Sequence, residues 1–334
     1  MKMTSRLFLV LLFGCTMTST INALTIKLGS IAPKGSPWDN ALRKLAAEWS
    51  SISQGRINLK IYPGGIAGGE EDMLRKIRIG QLNAAGLTGV GMCRVFPGIL
   101  TVQLPLMVRT DEELYYILGK MRPTFEEKLE AKGFKVLIWS KVGWVHFFSK
   151  KPVIKPDDLR AHKMFNYAGD PDGTQAWKEA GFHPVPLSVN ELMTALQSGM
   201  VDAFSTTPLS AAAYQWFGLA KNMCGMKWAP LIGGVVISTR TWEKIPADLR
   251  PQLLKAARKI GREAQIEIDK ADAEAIKIMK QHGLTINPVS PEIEAQWLAE
   301  VKEGFNKVMG KSFDKETFDK VKQHLKNFRN ANDK

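Results

Sequence analysis

The side chains that most often perform catalysis or bind metal are few in this sequence and widely spaced. The five histidines show no metal-ligand spacing: His146, His162, His183, His282 and His324. The sequence contains no G-x-S-x-G, no H-E-x-x-H and no cysteine–histidine signature. The chain therefore gives no reason to expect a cofactor or a metal, and we interpret it as non-catalytic. An enzyme with a dispersed site stays an alternative, because such sites leave no local motif.

A glycine-rich stretch from Pro63 to Gly69 resembles a phosphate-binding loop, but it lacks the Gly-Lys-Ser/Thr ending. The three acids that follow, Glu70, Glu71 and Asp72, would repel a phosphate. The same acids suit the positive end of a helix dipole. We therefore interpret the stretch as a turn that leads into a helix.

The region between Lys155 and Pro208 predicts an alternation of three strands and two helices. Its strands are expected at residues 162–167, 185–187 and 201–205. Asp170 and Ser188 are typical caps for the two helices between them. Such units bind ligands where their parallel strands end. A binding site is thus expected around residues 165–167 and 205–208.

The rest of the chain predicts further strands and one long helix. Strands are expected at residues 24–31, 57–62 and 84–88, at 134–139 and 144–149 on either side of a bend, and at 233–238. Two successive helices are expected after Thr110. Pro246 introduces a helical pattern that runs to about Gln281. At about 1.5 Å per residue, that helix is long enough to span two domains.

The N-terminus has the pattern of an export signal. Lys2 and Arg6 precede a short apolar core, and Ile21-Asn22-Ala23 is a suitable cleavage site. An alternative cleavage before Cys15 would place a lipid anchor on that residue. No other stretch has the roughly 20 apolar residues of a transmembrane helix. We therefore expect a periplasmic protein, with residues 1–23 as signal peptide.

Composition is that of a folded, basic protein with few cysteines. The chain has 334 residues, of which 45% are hydrophobic, enough for two domains. Removing Lys2 and Arg6 with the signal lowers the formal net charge from +13 to +11. In an exported protein without a nucleic-acid motif, this charge favours an acidic partner or an anionic membrane surface, or is simply a solvated surface. Cys93 and Cys224 either form a disulfide or, more simply, stay free thiols.

Four features in a fixed order carry a family resemblance. They are Leu-Pro-Leu at 104–106, PDDL at 156–159, SGMVDA at 198–203 and the long helix after Pro246. Together they resemble the solute-binding subunit of TRAP transporters over nearly all of the mature chain. The resemblance implies an α/β fold of two domains, joined by hinge strands and a long domain-spanning helix, whose cleft closes on a ligand. It also implies delivery of that ligand to membrane permease subunits.

The resemblance also implies domain boundaries. Residues 24–145 together with 233–282 are expected to form domain I, and residues 146–232 domain II. Residues 283–334 are expected to form C-terminal helices that pack across both domains.

The sequence departs from this family where relatives hold organic acids. Aligning the PDDL turn puts Phe165 at the position of the family's arginine. A second basic position of the family often lies in the preceding strand, in a Gly-aromatic-Arg pattern, and here Gly143-Trp144-Val145 places Val145 there. Thr207 falls near a frequent asparagine. A guanidinium holds a carboxylate with two parallel hydrogen bonds, and a phenyl ring offers neither charge nor donor. Acid binding by the family's usual mode is therefore in doubt.

Aromatic residues take the place of that arginine on the elements expected to line the cleft: Trp144, Phe147, Phe165, Tyr167, Phe204 and Trp216. We expect about half of them to belong to the core instead. Trp38, in the first turn of a helix, is either a cleft residue or a surface residue. The predicted ligand-binding set adds to these the polar or small side chains Glu70, His146, Asn166, Thr206 and Thr207.

An aromatic cleft with few polar groups predicts an uncharged or largely hydrophobic ligand. This feature resembles a family branch that works with a periplasmic TPR-repeat protein, and the basic surface would provide a docking face for it. One alternative is an organic-acid receptor in which Lys34 or Arg94 replaces the missing arginine. A second alternative, of another class, is an exported enzyme acting on a small molecule.

Overall fold

The computed structural model describes residues 23–308 and 314–332. The predicted signal segment up to residue 22, with Cys15, lies outside the described residues. In the described part, no helix combines the length and the apolarity needed to cross a membrane.

The described chain alternates strands and helices. The strands are β1 (Leu24–Ser30), β2 (Ile57–Tyr62), β3 (Ala84–Thr88), β4 (Phe134–Ser149), β5 (Lys163–Tyr167), β6 (His183–Leu187), β7 (Ala203–Thr206), β8 (Asn222–Cys224), β9 (Ala229–Ser238) and β10 (Thr285–Asn287). The helices are α1 (Pro37–Ile52), α2 (Glu70–Arg78), α3 (Gly89–Cys93), α4 (Asp111–Glu130), α5 (Pro156–Arg160), α6 (Pro171–Glu179), α7 (Leu192–Ser198), α8 (Pro208–Ala213), α9 (Thr239–Lys244), α10 (Arg250–Gln281), α11 (Pro291–Val308) and α12 (Lys315–Asn332). Short 3-10 turns lie at Pro97–Gln103, Val189–Glu191 and Trp216–Gly218.

The main sheet has the strand order β2-β1-β3-β9-β4-β7-β5-β6, with β8 and β10 branching from β4. Strands β2, β1 and β3 are parallel and, with β9, form the first half of the sheet. Strands β7, β5 and β6 are parallel and form the second half. This is the mixed α/β architecture that the sequence predicted.

Strand β4 connects the two halves. It pairs antiparallel with β9 from Phe134 to Val145, and its last residues, from His146 onward, pair with β7. The prediction of two strands separated by a bend was wrong, because the ladder with β9 continues through a bulge between Lys141 and Gly143. The predicted domain boundaries stay a prediction, although the change of partner after Val145 falls at one of them.

Two helices differ from their predicted bounds. The two helices expected after Thr110 are one continuous helix, α4, which contains Pro123. Helix α10 begins at Arg250 and continues for 32 residues, about 48 Å at 1.5 Å per residue. It packs against α1 and β4 of the first half of the sheet, and against α8, the helix that directly follows β7 of the second half. Helix α10 therefore runs past both halves of the sheet.

Buried tryptophans and apolar side chains fix the helices to the sheet. Trp49 of α1 is fully buried, and its indole Nε1 donates to the Leu253 carbonyl of α10 at 3.0 Å. Cys93 and Cys224 are both free thiols, and Cys224 is buried.

Gly234 of β9 supports a first prediction. A Cβ on this residue would lie 2.5 Å from the Ile138 carbonyl oxygen of β4, which the strand pairing holds in place. We expect Gly234→Ala to lower the free energy of unfolding by about 1–3 kcal/mol, because the β4–β9 ladder must deform. Urea unfolding measures this change.

Gly119→Ala is the matched control. Gly119 lies inside α4, and a Cβ there would have no neighbour within 4 Å. This substitution should raise the free energy of unfolding by up to about 1 kcal/mol. Equal effects of the two substitutions would contradict the tight β4–β9 contact.

Candidate functional site

A cavity of about 420 Å³ lies where the two halves of the sheet face each other. Its walls include the ends of β1 and β3 from the first half and the ends of β5 and β7 from the second. Residues from β9 and from the middle of α10 complete it. The size is that of a small-molecule site, and the location follows the rule that α/β sheets bind ligands where their parallel strands end.

The cavity brings together seven of the predicted ligand-binding residues: Trp38, Glu70, Phe165, Asn166, Tyr167, Thr206 and Trp216. They come from α1, α2, β5, β7 and the turn after α8. The first and the last of them, Trp38 and Trp216, are 178 positions apart in the sequence. Whether each of them contacts a ligand stays a prediction.

The other five predicted residues lie outside the cavity wall. Phe147 and Phe204 are fully buried in the core, where Phe147 stacks on Trp297 and Phe204 on Phe148. Thr207 is buried as the cap of α8, and its hydroxyl accepts from the Ser210 amide.

Trp144 and His146 of β4 are held by hydrogen bonds away from that wall. The Trp144 indole donates to Asp111 Oδ1 at 2.8 Å. The His146 Nδ1–H donates to the Cys224 carbonyl at 2.9 Å. Burial lowers the pKa of His146, so that the ring stays neutral in this position.

Two aromatic wall residues were missed by the sequence analysis. The Tyr214 ring stacks on Trp216 with centroids 4.4 Å apart and planes 6° from parallel. Its hydroxyl donates to the Ile31 carbonyl at 2.7 Å and so joins the two sides of the cavity. Trp228, directly before β9, also lines the cavity. The one sequence signal for Tyr214 was its position two residues before Trp216.

Glu70 is the most buried charged side chain of the wall, with 3% of its surface exposed. Its carboxylate accepts hydrogen bonds from the Thr88 amide and, at 3.0 Å, from the Thr88 hydroxyl. Gly91 makes room for it, since a Cβ there would lie 2.7 Å from the carboxyl group. Burial raises the pKa of Glu70 to about 7, and the Thr88 hydrogen bonds offset part of this rise.

The described wall contains no lysine, arginine or histidine, and its charged residues are Glu70 and Asp170. Phe165 and Val145 both line the cavity, at the two positions where the family resemblance implies basic side chains. Neither alternative cation belongs to the wall: Lys34 is exposed, and Arg94 pairs with Glu71 at 2.9 Å. Within the described ranges, no cluster of His, Cys, Asp and Glu is suited to a metal ion.

Residues 28–312 match the sequence profile of a family described as bacterial extracellular solute-binding protein, family 7. The chain belongs to this family. It is a TRAP solute-binding protein, a class that binds small molecules and works with membrane permease subunits. The sialic acid-binding periplasmic protein SiaP of Vibrio cholerae is 24% identical over 304 residues, 88% of this chain and 91% of that protein. The 2,3-diketo-L-gulonate-binding periplasmic protein YiaO of Escherichia coli is 23% identical over 274 residues, 80% of this chain and 82% of that protein.

Solved TRAP solute-binding proteins share the fold. The protein from Xanthobacter autotrophicus, with bound β-D-galacturonate, has a TM-score of 0.83 at 19% identity, and the match covers 90% of this chain and 99% of that protein. The protein from Sulfurospirillum deleyianum, with bound succinate, has a TM-score of 0.81 at 22% identity, and the match covers 89% of this chain and 97% of that protein. Both are two-domain periplasmic binding proteins, which confirms the predicted fold class and family.

The raised pKa of Glu70 predicts a pH dependence of stability. Because its folded pKa of about 7 exceeds its ordinary value of 4.5, folding takes up a proton between these values. The contribution of Glu70 to stability is therefore complete below pH 4.5 and is lost as pH rises through 7. This loss amounts to about 3 kcal/mol. The Glu70→Gln variant lacks this titration. From pH 4.5 to pH 8, its free energy of unfolding should therefore rise by about 3 kcal/mol relative to that of the wild type.

Urea unfolding at these two pH values measures the difference. Glu48→Gln is the control, because Glu48 is exposed on α1 and its substitution should change the free energy of unfolding less than Glu70→Gln does. A Glu70→Gln protein with the wild-type slope would show that the buried carboxyl group is not the cause.

Proposed function

We propose that the protein is a non-catalytic periplasmic receptor that captures a hydrophobic or weakly polar small molecule and delivers it to a TRAP-type membrane permease. The observation that carries this proposal is a mainly apolar cavity whose described wall holds two carboxyl groups and no cation. An organic acid bound there would leave water without gaining a positive partner.

The cost of an unpaired buried charge supports this ligand class. An ionised carboxylate placed in a dry site without a counter-charge is strongly unfavourable. The ionised fraction of Glu70, whose pKa is about 7, would repel it further. An apolar group, in contrast, gains about 0.8 kcal/mol for each methylene that leaves water.

The shape of the wall supports the same conclusion. Rings from Phe165, Tyr167, Tyr214, Trp216 and Trp228 offer flat apolar surfaces. Aromatic rings present much contact area and lose little conformational freedom on binding. The polar groups between them are enough to orient a weakly polar ligand, and they do not require a charged one.

The second candidate is an organic-acid receptor. It is favoured by the solved relatives, whose ligands include β-D-galacturonate and succinate. In this chain the acid would need either a cation outside the described wall or a neutral donor set. Isothermal titration with galacturonate and succinate distinguishes the candidates, since binding that weakens as salt rises supports the acid receptor.

The partners follow from the same proposal. The receptor would release its ligand to the permease, and a periplasmic TPR-repeat protein would be an intermediate partner. Without the signal segment and its Lys2 and Arg6, the formal net charge of the receptor is +11, which suits an acidic partner. Export by the N-terminal segment, with or without a lipid at Cys15, belongs to this proposal. A turnover assay on the purified protein tests the alternative of an exported enzyme.

Two dyes with one skeleton test the ligand class. N-phenyl-1-naphthylamine is neutral, and 8-anilino-1-naphthalenesulfonate adds a sulfonate to the same rings. We expect the neutral dye to bind at least 10-fold more tightly, because the sulfonate would lose its hydration without a cation. Fluorescence titration measures both affinities. Tighter binding of the sulfonate would contradict the proposal.

Phe165 is the position that should decide this preference. Phe165→Arg should weaken the neutral dye about 10-fold or more, because it puts an unpaired charge into the cavity, and should strengthen the sulfonate. Phe165→Leu is the matched control, since it keeps the wall apolar and should change either affinity less. Unchanged preference in the arginine variant would show that Phe165 does not face the ligand.

A further inference from the structure

The cavity has an arm beneath two helices, in addition to the cleft between the halves of the sheet. The floor of this arm is a row of residues that pair with one another across four neighbouring strands, so their side-chain positions lie on one face of the sheet. The row consists of Ser30 of β1, Gly86 of β3, Val235 of β9 and Ile138 of β4. All four line the cavity. We call the cavity space above this row the helix arm.

Helices α1 and α10 cover the helix arm. Two distances place them there: a Cβ on Gly86 would lie 3.9 Å from Leu42 Cδ1 of α1, and a Cβ on Gly261 of α10 would lie 2.7 Å from Ile138 Cγ2. The residues of the two helices that line the cavity have helical spacing, which puts them on one face of each helix. They are Ala41 and Leu42 of α1, with Trp38 one turn before, and Gly261, Ala264 and Ile268 of α10.

The helix arm is kept open by small residues. Gly86 lies on β3, which has a paired strand on each side, yet it is only half-buried, so its exposed surface faces the cavity. Ala41 and Ala264 of the covering helices are half-buried as well. Glycine and alanine thus leave cavity space at a place where longer side chains would make close-packed core.

The walls of the helix arm are aliphatic. Leu42, Ile138 and Val235 belong to the hydrophobic core that α1 and α10 form with the sheet. The charged residues of the described wall belong to the cleft instead, because Glu70 begins α2 and Asp170 caps α6.

The serine hydroxyls at the edge of the helix arm already have partners in the protein. The Ser140 hydroxyl of β4 donates to Gln265 Oε1 at 3.1 Å. The Ser30 hydroxyl accepts from the Ala32 amide at 3.1 Å. A hydrocarbon group in the arm therefore leaves these two hydrogen bonds intact, and it finds apolar contacts on both sides.

The dimensions of the helix arm suit a chain. Beside the arm, α10 joins the core of the sheet through residues such as Ile260, so the height of the arm is about that of the side chains that Gly86 lacks and Ala264 keeps short. Along α10 the wall runs from Gly261 to Ile268, which is about 10 Å at 1.5 Å per residue. This space is long and low, as a single hydrocarbon chain is.

We propose that the ligand carries an unbranched hydrocarbon chain that occupies the helix arm, while its weakly polar end stays in the cleft. This inference rests on the proposed function and narrows its ligand class to uncharged single-chain amphiphiles. Each methylene that enters the arm leaves water for apolar contacts, which strengthens binding about fourfold.

Straight-chain alcohols test the inference. Isothermal titration of the wild-type protein with the series from 1-hexanol to 1-dodecanol measures how affinity depends on chain length. We expect the affinity to rise about fourfold for each methylene and to stop rising at the length that fills the arm. An affinity that does not depend on chain length would overturn the inference.

Ala264→Leu is the variant that shortens the helix arm, because it puts three more carbon atoms into it. It should weaken 1-decanol about 10-fold or more and make the affinity stop rising at a shorter alcohol. The dye N-phenyl-1-naphthylamine, whose rings suit the aromatic cleft, should change less than twofold. Ala273→Leu is the matched control, since Ala273 is exposed on the same helix and should change neither ligand.

The outcomes separate this inference from the proposed function. An Ala264→Leu protein that binds 1-decanol as the wild type does, or that loses 1-decanol and the dye equally, would overturn the inference and leave an apolar receptor. A wild-type protein that binds neither the dye nor any of the alcohols would overturn the proposed function itself. Circular dichroism checks the folding of each variant. Because the wild-type length series is informative alone, a variant that fails to fold does not remove the test.

Discussion

A carboxylate that leaves water must find a positive partner or a proton, and the ligand class that we propose for the cavity depends on this constraint. Glu70 already shows its effect within the protein. The side chain is almost fully buried, it has two Thr88 hydrogen bonds but no cation in the wall, and burial raises its pKa to about 7. A second carboxylate brought by a ligand would meet the same environment and, in the fraction of molecules in which Glu70 is ionised, the charge of Glu70 as well.

The architecture around the cavity is that of the family, and the described wall of the cavity contains no basic side chain. Strand β4 crosses from one half of the sheet to the other, and α10 runs past both. Solved relatives about 20% identical share this frame with TM-scores above 0.8. In the function that we propose, this frame positions the cavity and the side chains at the strand ends select the ligand. Phe165 and Val145 are apolar at the two positions where the family resemblance implies basic side chains.

Much of the fold and part of the site were predictable from sequence. The ends of parallel strands meet at one edge, so Phe165, Asn166, Tyr167 and Thr206 were found to line one cavity. Phe204 does not line the cavity. It lies two residues before Thr206, about 6–7 Å deeper along the strand, and its ring is inside the core. No local pattern reveals how far along a strand the cavity begins.

The remaining differences depend on contacts that are distant in sequence. Trp144 is held by Asp111 of α4, and His146 by the Cys224 carbonyl. Gln103 reaches the wall from a short 3-10 turn that has no periodic signal, and the backbone of β9 sets its orientation. The continuity of β4 was missed for a similar reason, since its partner β9 is about 90 residues away and hydrogen bonds on both sides of the bulge.

The most direct test of this account is mass spectrometry of the small molecules that denaturation releases from protein purified from its native periplasm. The account predicts a neutral, mainly apolar molecule in an amount comparable to the protein. Recovery of a uronate, succinate or another organic acid in that amount would contradict it.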